Sequence, residues 1–177
     1  MNEALSAEIA AARSAGIAVR LVANLPYNIA SPLVIELLRA GVESLAFTVQ
    51  KEVAQRLRAK ANDDAYGPLS VMAGLLADVE ILRTLPPQAF WPAPKIDSAL
   101  VRMIRRDRLG DRAEAMGRFV HQVFAARRKT MRRALAHADL PADALLGQLK
   151  IDPQKRPEEI SAEQLLQLFD VAFPASM

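Results

Sequence analysis

The sequence predicts an α/β domain followed by a small all-helical domain. Up to about residue 106, short apolar runs rich in β-branched residues alternate with stretches of helical spacing, which is the pattern of an α/β sheet. Beyond about residue 113 we find only helical spacing. The intervening segment 106–112 is charged and contains Gly110, as is common in linkers. We therefore expect a first domain over residues 1–106 and a second over residues 107–177.

The composition is that of a folded protein without cysteine chemistry. Hydrophobic residues make up 51% of the 177 residues, and the formal net charge is +3. The absence of cysteine excludes disulfides, thiolate catalysis and cysteine-based zinc sites, and the presence of only His121 and His137 argues against a His-rich metal site. We find neither a long apolar run nor a signal-peptide pattern. We expect a cytoplasmic protein that binds no metal and no membrane.

The elements of the first domain follow from apolar spacing and from glycine and proline. Gly16 and Gly41 are placed to end the first two helices, and Ser31 followed by Pro32 has the pattern of a helix N-cap and first turn. Four prolines among residues 86–94 argue against regular structure there. The predicted order is helix 2–14, strand 17–23, helix 32–40, strand 44–50, helix 51–61, helix 68–77, strand 79–82 and strand 98–104.

The second domain is predicted as three helices. Apolar residues keep helical spacing from about 113 to 137, and Pro141 can open a short helix that extends to about residue 148. Ser161 and Gln164 form a capping-box pattern for a last helix that reaches about residue 172.

The end of strand 17–23 is the first candidate site. In an open α/β sheet, ligands bind outside the carboxyl ends of strands, so Asn24, Leu25, Pro26 and Tyr27 lie on the functional edge. The Asn24 side-chain oxygen and a backbone carbonyl of Leu25 or Pro26 could hold both hydrogens of an exocyclic amine, while Tyr27 offers a stacking face. The alternative is an ordinary strand-to-helix turn in which Tyr27 packs inward.

The proline-rich segment is the second candidate. Phe90 and Trp91 lie in a stiff loop, where an aromatic ring can form a wall for a flat ligand. The alternative is that these rings cap the core of the sheet, and Trp91 fits that alternative better than Phe90. Together with the loop at residues 24–27, this segment would complete a clamp for a purine.

A basic cluster near the start of the second domain is the third candidate. Its members are Arg127, Arg128, Lys129, Arg132 and Arg133. If one helix covers them all, the residues four apart share an exposed face that attracts phosphate groups. A solvated helix surface is the alternative.

Six blocks of the sequence, in order, resemble one family. They are NLPYNI (24–29), QKEV (50–53), YGPLSV (66–71), FWPAPKIDSA (90–99), FAARRKT (124–130) and IDPQKRPEEI (151–160). The family is that of the ribosomal RNA adenine N6,N6-dimethyltransferases, which use S-adenosylmethionine to dimethylate two adjacent adenines of small-subunit rRNA. More distantly, the chain resembles the 23S-modifying antibiotic-resistance relatives.

The resemblance implies a fold and roles for individual residues. The first domain would be the C-terminal part of a Rossmann-like class I methyltransferase sheet, and the second would engage rRNA in the immature small subunit. Asn24 and the carbonyls of Leu25 and Pro26 would hold the target N6, with Asn24 also adjoining the cofactor. Tyr27 and Phe90 would stack on a flipped adenine. Lys95 and Ser98 belong to the second motif, without a firm role.

The sequence departs from the family's pattern at the cofactor-binding motifs. Family members carry a Gly-rich loop for the cofactor, whereas no two of the seven glycines here are closer than seven residues. Two hypotheses follow: an N-terminally truncated dimethyltransferase, or a non-catalytic rRNA-binding or ribosome-assembly module that kept the target-base pocket. We favour truncation, and we expect this chain to bind S-adenosylmethionine weakly or not at all.

Overall fold

The computed structural model describes residues 3–106 and 108–174. The strands are β1 (Arg20–Asn24), β2 (Ser44–Gln50), β3 (Ala77–Leu85) and β4 (Ser98–Arg105). The helices are α1 (Glu3–Ser14), α2 (Ala30–Ala40), α3 (Lys51–Arg58), α4 (Pro68–Leu76), α5 (Ala113–Ala125), α6 (Met131–His137), α7 (Ala142–Gln148) and α8 (Ala162–Ala172). Short 3₁₀ turns lie at Pro87–Ala89, Gly110–Arg112 and Pro157–Glu159.

The sheet brings several chain segments to one edge. Its strand order is β1-β2-β4-β3, with β1 parallel to β2 and β4 antiparallel to both of its neighbours. The strands β1, β2 and β3 therefore point the same way, and their carboxyl ends meet the amino end of β4. At that edge Asn24 lies opposite Thr48, and Ser98 lies opposite both Gln50 and Leu85. The α/β architecture predicted from the sequence is confirmed.

The chain forms two compact units. One consists of the residues up to Arg58 together with Ala73–Gly110, and the other consists of Ala59–Met72 together with the residues from Asp111 onwards. The second unit is helical, and it includes a segment that lies within the first domain expected from the sequence. The chain passes from one unit to the other three times.

Each unit has its own apolar core. In the first unit the inward side chains of the two central strands have no exposed surface, and alternate residues of β2 and β4 provide them: Leu45, Phe47, Val49, Ala99, Val101 and Met103. In the helical unit the Tyr66 ring contacts Phe124 with 6.0 Å between ring centroids, and the Tyr66 hydroxyl donates to the Ile160 carbonyl at 2.9 Å. The segment Ala59–Met72 is therefore part of the second core.

Several element boundaries follow the sequence prediction closely. The strand β2 covers residues 44–50 as expected, and Gly41 ends α2 in a left-handed conformation with φ of 100°. At the start of α8, the Ser161 hydroxyl accepts from the Gln164 amide, and the Gln164 side chain accepts from the Ser161 amide. The predicted capping box is thus confirmed.

Other boundaries differ from the prediction near prolines. The helix α2 begins at Ala30 with Ile29 as its N-cap, so the prediction of Ser31 as N-cap is wrong. The reason is that the Pro26 carbonyl already accepts from the Ile29 and Ala30 amides, which starts the turn earlier. The proline-rich segment contains a single 3₁₀ turn at Pro87–Ala89, because a proline in the first turn loses no hydrogen bond.

The largest difference is a break in the helix expected over residues 113–137. The helix α5 ends at Ala125, α6 begins at Met131, and the intervening Thr130 is extended. The first amides of α6 donate to carbonyls of a later loop, Met131 to Lys155 at 2.6 Å and Arg132 to Pro153 at 3.3 Å. These carbonyls cap a new helix N-terminus and so stabilise the break.

Candidate active site

A cleft of about 330 Å³ lies at the edge of the sheet where β1 ends. Its walls come from two loops, the one that follows β1 and the proline-rich one that precedes β4. The lining residues are Asn24, Leu25, Pro26, Tyr27, Phe90, Trp91, Pro92 and Pro94. The structure thus brings together the first two sites predicted from the sequence.

Asn24 is the last residue of β1, and its carboxamide is oriented by the neighbouring strand. The Asn24 side-chain oxygen accepts a hydrogen bond from the hydroxyl of Thr48, which lies directly opposite on β2. An amide oxygen has two lone pairs, so one remains for a ligand. Thr48 was not predicted as a site residue, because only the β1–β2 register places it beside Asn24.

The two residues after Asn24 shape the turn in different ways. The Leu25 side chain is buried, with 7% exposure, and anchors the loop to the core. The Pro26 carbonyl accepts from the amides of Ile29 at 3.2 Å and Ala30 at 3.1 Å, so both of its lone pairs are used in starting α2. The backbone acceptor expected from Leu25 or Pro26 is therefore to be sought at Leu25.

Tyr27 is held by a hydrogen bond at its far end. Its hydroxyl oxygen lies 2.7 Å from the hydroxyl oxygen of Ser98, which has no exposed surface and is the first residue of β4. The ring is half-buried and remains part of the cleft wall. Ser98, which had no firm role from the sequence, thus fixes the position of an aromatic side chain that lies 71 residues away along the chain.

The two aromatic residues of the proline-rich loop differ in exposure. Phe90 is half-buried, as a wall of the cleft should be, whereas Trp91 is 97% exposed. The interpretation of Trp91 as a cap on the sheet core is therefore wrong. The residues around it explain the outcome, because Pro92, Ala93 and Pro94 keep the chain at the surface until β4 begins at Ser98.

The basic cluster lies in the helical unit and does not form the single helix face expected from the sequence. Arg127, Arg128 and Lys129 occupy the turn between α5 and α6, and only Arg132 and Arg133 are helical. All five side chains are exposed. The expectation of one shared face is wrong because the helix breaks at Thr130.

Two of these five cations have acidic partners that are distant in sequence. Arg127 lies 3.8 Å from the Glu158 carboxylate, and Arg132 lies 2.8 Å from that of Asp143. For Arg128, Lys129 and Arg133, we find no acidic partner among residues 3–106 and 108–174. The charge accessible to a polyanion is therefore concentrated on these three.

Within the described part of the chain, no three side chains of the histidine, cysteine, aspartate or glutamate type come together as a metal site would need. No helix there combines the length and apolar character needed to cross a bilayer.

The match to a protein-family model shows the family to which this chain belongs. The model described as "Ribosomal RNA adenine dimethylase" matches residues 2–173. The chain belongs to the ribosomal RNA adenine dimethylase family. The resemblance found in the sequence blocks is thereby confirmed.

Curated relatives agree with the dimethylase assignment. Proteins named ribosomal RNA small subunit methyltransferase A match from Hahella chejuensis with 43% identity over 88% of this chain, from Nitrosococcus oceani with 45% over 85%, and from Brucella abortus with 36% over 98%. The chain spans only 58%, 58% and 64% of these relatives' own lengths, respectively.

Solved structures show that this dimethylase-family chain has the class I methyltransferase fold. A dimethyladenosine transferase from Plasmodium falciparum aligns with a TM-score of 0.77 and 22% identity, covering 87% of this chain and 67% of that one. The 23S rRNA methyltransferase ErmE aligns with a TM-score of 0.61 and 26% identity, covering 86% of this chain and 64% of that one. The predicted fold class is confirmed.

The cleft suits a flat neutral base better than a whole cofactor molecule. Its lining side chains include no carboxylate and no cation. S-adenosylmethionine carries ribose hydroxyls, an ammonium and a carboxylate, and such groups need polar or charged partners when they bind. Asn24 is the one lining side chain with an amide, so these residues do not by themselves make a site for the cofactor.

Proposed function

We propose that this chain is the substrate-binding part of an rRNA adenine N6,N6-dimethyltransferase that acts on adjacent adenines of small-subunit rRNA, with S-adenosylmethionine as methyl donor. The observation that carries the proposal is the uncharged cleft that combines Asn24 with the rings of Tyr27 and Phe90. The family assignment and the names of the curated relatives support it.

The chemistry follows from the electronic structure of adenine. The lone pair of the N6 amine is delocalised into the ring, which makes the nitrogen a poor nucleophile. If the Asn24 side-chain oxygen and the Leu25 carbonyl accept its two hydrogens, the nitrogen could become pyramidal and its lone pair would be localised. S-adenosylmethionine, held by residues other than these, would supply the methyl group. Because these acceptors act most strongly on the developing charge, their effect falls mainly on the transition state.

The two rings of the cleft would hold the base during this step. Tyr27, fixed by Ser98, and Phe90, fixed by the proline-rich loop, offer apolar faces for an adenine. An adenine stacked within an RNA helix cannot reach such a cleft, so the base must be flipped out or come from an unpaired segment.

The helical unit would contribute affinity for the RNA backbone. We propose a domain division near residue 107, with the preceding part holding the base and the part after it engaging rRNA in the immature small subunit. Exposed cations at Arg127, Arg128, Lys129, Arg132 and Arg133 support this role. A ribosomal RNA partner would place the protein in the cytoplasm and in ribosome biogenesis.

The base-holding role can be tested by removing the amine from the RNA. Short single-stranded RNAs with one adenosine, or with purine riboside at the same position, should bind this chain with affinities that differ about 30-fold, since the amine makes two hydrogen bonds that contribute about 1 kcal/mol each. The Asn24→Ala variant should reduce that difference to about fivefold, because the Leu25 carbonyl still accepts one hydrogen. Equal affinities for the two RNAs in the unaltered chain would contradict the proposal.

A second candidate function is that of a non-catalytic rRNA-binding or assembly module. The absence of charged groups from the lining of the cleft favours it. Calorimetry with S-adenosylmethionine tests the second candidate, although we expect this chain to bind the cofactor weakly or not at all under either one. Tight stoichiometric binding would exclude the module. The upstream nucleotide sequence separates them further, since an in-frame Gly-rich motif would support the dimethyltransferase.

A further inference from the structure

We infer that Trp91 stacks on an unpaired nucleotide that neighbours the base held in the cleft. The inference rests on the proposed function and adds a second, aromatic contact to the RNA. It makes the recognised substrate a single-stranded RNA segment of at least two nucleotides, with one base in the cleft and the next base on the Trp91 ring.

The exposure of Trp91 is the first observation. Among the large hydrophobic residues that are exposed in the described part of the chain, it has the greatest exposed fraction, 97%. Tryptophan carries the largest apolar surface of any side chain, and in a folded domain it is usually buried for most of that surface. The Trp91 ring therefore contributes almost nothing to the core and is free to contact a partner.

The difference in burial between Phe90 and Trp91 is the second observation. Both residues border the same cleft, but Phe90 is half-buried whereas Trp91 is exposed. A base inside the cleft would contact the Phe90 ring, and the exposed Trp91 ring lies at the rim, where the next nucleotide of the RNA would pass. The two rings are therefore suited to different nucleotides.

The rigidity of the loop is the third observation. Pro86, Pro87, Pro92 and Pro94 fix four φ angles, and the 3₁₀ turn at Pro87–Ala89 is closed by hydrogen bonds from Ala89 to Pro86 and from Phe90 to Pro87. At the other end the Lys51 amide donates to the Asp97 carbonyl at 3.0 Å. A ring presented by a stiff loop loses little conformational entropy when a base stacks on it.

The charge of the loop favours RNA as the partner. Lys95 is exposed in the same loop, and Asp97 is paired with Lys51 at 3.7 Å. A cation beside an exposed aromatic ring is the combination found where proteins bind single-stranded nucleic acid, because the cation attracts the phosphate and the ring stacks on the base.

A double-mutant cycle, in which Trp91 and one RNA nucleotide are changed separately and together, tests the contact in the 177-residue chain. The probe is a fluorescently labelled single-stranded heptaribonucleotide with one adenosine among uridines, and its partner RNAs carry an abasic residue on the 5′ or the 3′ side of that adenosine. We expect Trp91→Ala to weaken binding of the intact RNA about tenfold, and to have no effect once the nucleotide that Trp91 contacts is abasic.

Matched variants show whether the loss of RNA affinity comes from the aromatic ring or only from apolar surface. Trp91→Phe should retain most of the affinity because it keeps an aromatic face, whereas Trp91→Leu should behave like Trp91→Ala although it keeps apolar surface. Leu82→Ala, which changes an exposed apolar residue of β3 outside the cleft lining, should bind as the unaltered chain does. Because Trp91 is the only tryptophan, its fluorescence should also fall on binding intact RNA.

The outcomes distinguish this inference from the proposed function. If Trp91→Ala weakens binding equally for intact and both abasic RNAs, or not at all, the stacking inference is overturned. The base-holding role has its own readout: Phe90→Ala should weaken binding only when the adenosine itself is present. If Phe90→Ala weakened binding equally with and without the adenosine, the proposed function would be contradicted, even if the effect of Trp91→Ala depended on the neighbouring base as expected. If the chain bound no RNA at all, both proposals would be overturned.

Discussion

At the scale of single residues, the contact between Thr48 and Asn24 determines what the cleft can do. The Thr48 hydroxyl donates to the Asn24 side-chain oxygen, which sets the plane of the carboxamide at the end of β1. An acceptor that is already oriented needs no reorganisation when charge develops on the amine. The geometry of Asn24 is therefore as important to the proposed reaction as its chemical type.

Asn24→Ala is expected to lower the rate of methyl transfer far more than the affinity for RNA. In a form of the protein that methylates RNA, the loss in turnover should be roughly 100-fold, because the acceptor acts mainly in the transition state. The affinity should change only several-fold. Thr48→Val should give an intermediate loss, since it keeps Asn24 but removes the group that orients it. Single-turnover kinetics with separate binding measurements would show whether the two effects divide in this way.

Tyr66 provides a prediction about stability and pH. Burial, and to a lesser extent the negative charge of Glu163, raises the pKa of the Tyr66 phenol well above its usual value. Its hydroxyl donates to the buried Ile160 carbonyl. Tyr66→Phe should therefore lower the free energy of unfolding by about 1–2 kcal/mol at neutral pH, because it leaves that carbonyl without its donor.

The sign of the pH effect follows from the raised pKa. A phenol that holds its proton more tightly in the folded state stabilises the fold fully below the unfolded-state pKa of about 10, and that contribution is lost as the pH rises above it. The difference in unfolding free energy between the unaltered chain and Tyr66→Phe should shrink above about pH 10. Urea titrations at pH 7, 9 and 11 measure it, and a difference that stayed constant would contradict the assignment.

The sequence predicts the chemical groups of the cleft but not the contacts that position them. Asn24, Tyr27 and Phe90 follow from residue type and from their places beside predicted strands. The partners Thr48 and Ser98 depend on the register of β1 with β2 and on β4 being inserted beside β2, which are long-range pairings. Local propensity carries no information about such pairings, so these two positioning side chains emerge only from the structure.

At the scale of elements, the basic cluster spans the turn between α5 and α6 and the start of α6, and it contains two kinds of cation. Arg127 and Arg132 have carboxylate partners, whereas Arg128 and Arg133 face solvent without one among residues 3–106 and 108–174. A cation that is already partly neutralised should attract phosphate less strongly. We therefore predict that Arg128 and Arg133 contribute more to RNA binding than Arg127 and Arg132 do.

Replacing Arg128 and Arg133 together by alanine should weaken RNA binding and its salt dependence. For single-stranded RNA the slope of log K against log salt should decrease by roughly 1.4, about 0.7 for each lost phosphate contact. The matched control is Arg127→Ala with Arg132→Ala, which removes the same charge but should change the slope less. Filter binding at several salt concentrations would measure both. A larger effect in the control pair would contradict the division.

Sequence periodicity could not reveal the break between α5 and α6, because apolar spacing continues through it. Phe124 and Met131 are both buried and lie seven residues, or about two helical turns, apart, so the pattern is that of one uninterrupted helix. The carbonyls of Pro153 and Lys155, which cap the new helix, lie more than twenty residues later in the chain. In contrast, the Ser161–Gln164 capping box was predictable because both partners lie within one turn.

At the scale of the whole molecule, the two outer strands of the sheet differ in how they are protected. The strand β1 lies at one end of the sheet and carries Val22 with 86% exposure. The strand β3 lies at the other end, carries Asp78, Glu80 and Arg83, and has a register irregularity between Ile81 and Arg83. Charges and bulges protect an edge from pairing with other chains, so β1 is the more exposed of the two.

We expect this chain to self-associate through residues 17–23. Val22→Lys should reduce self-association, because a lysine on an edge strand opposes pairing with a second copy. Leu82→Lys on β3 is the matched control and should have little effect. Sedimentation velocity over a concentration series would measure both. Strong hydrogen-exchange protection of the amides at residues 19–22 in a demonstrably monomeric sample would show that the edge is satisfied internally.

The chain passes three times between its compact units, and this restricts which chimeric proteins it can form with its relatives. A single crossover near residue 107 would join the Tyr66 of one parent to the Phe124 and Ile160 of another. In this structure those three residues share a ring contact of 6.0 Å and a buried hydrogen bond. Chimeric genes that exchange only the C-terminal region should therefore yield stable proteins mainly when both parents carry compatible residues in the segment Ala59–Met72.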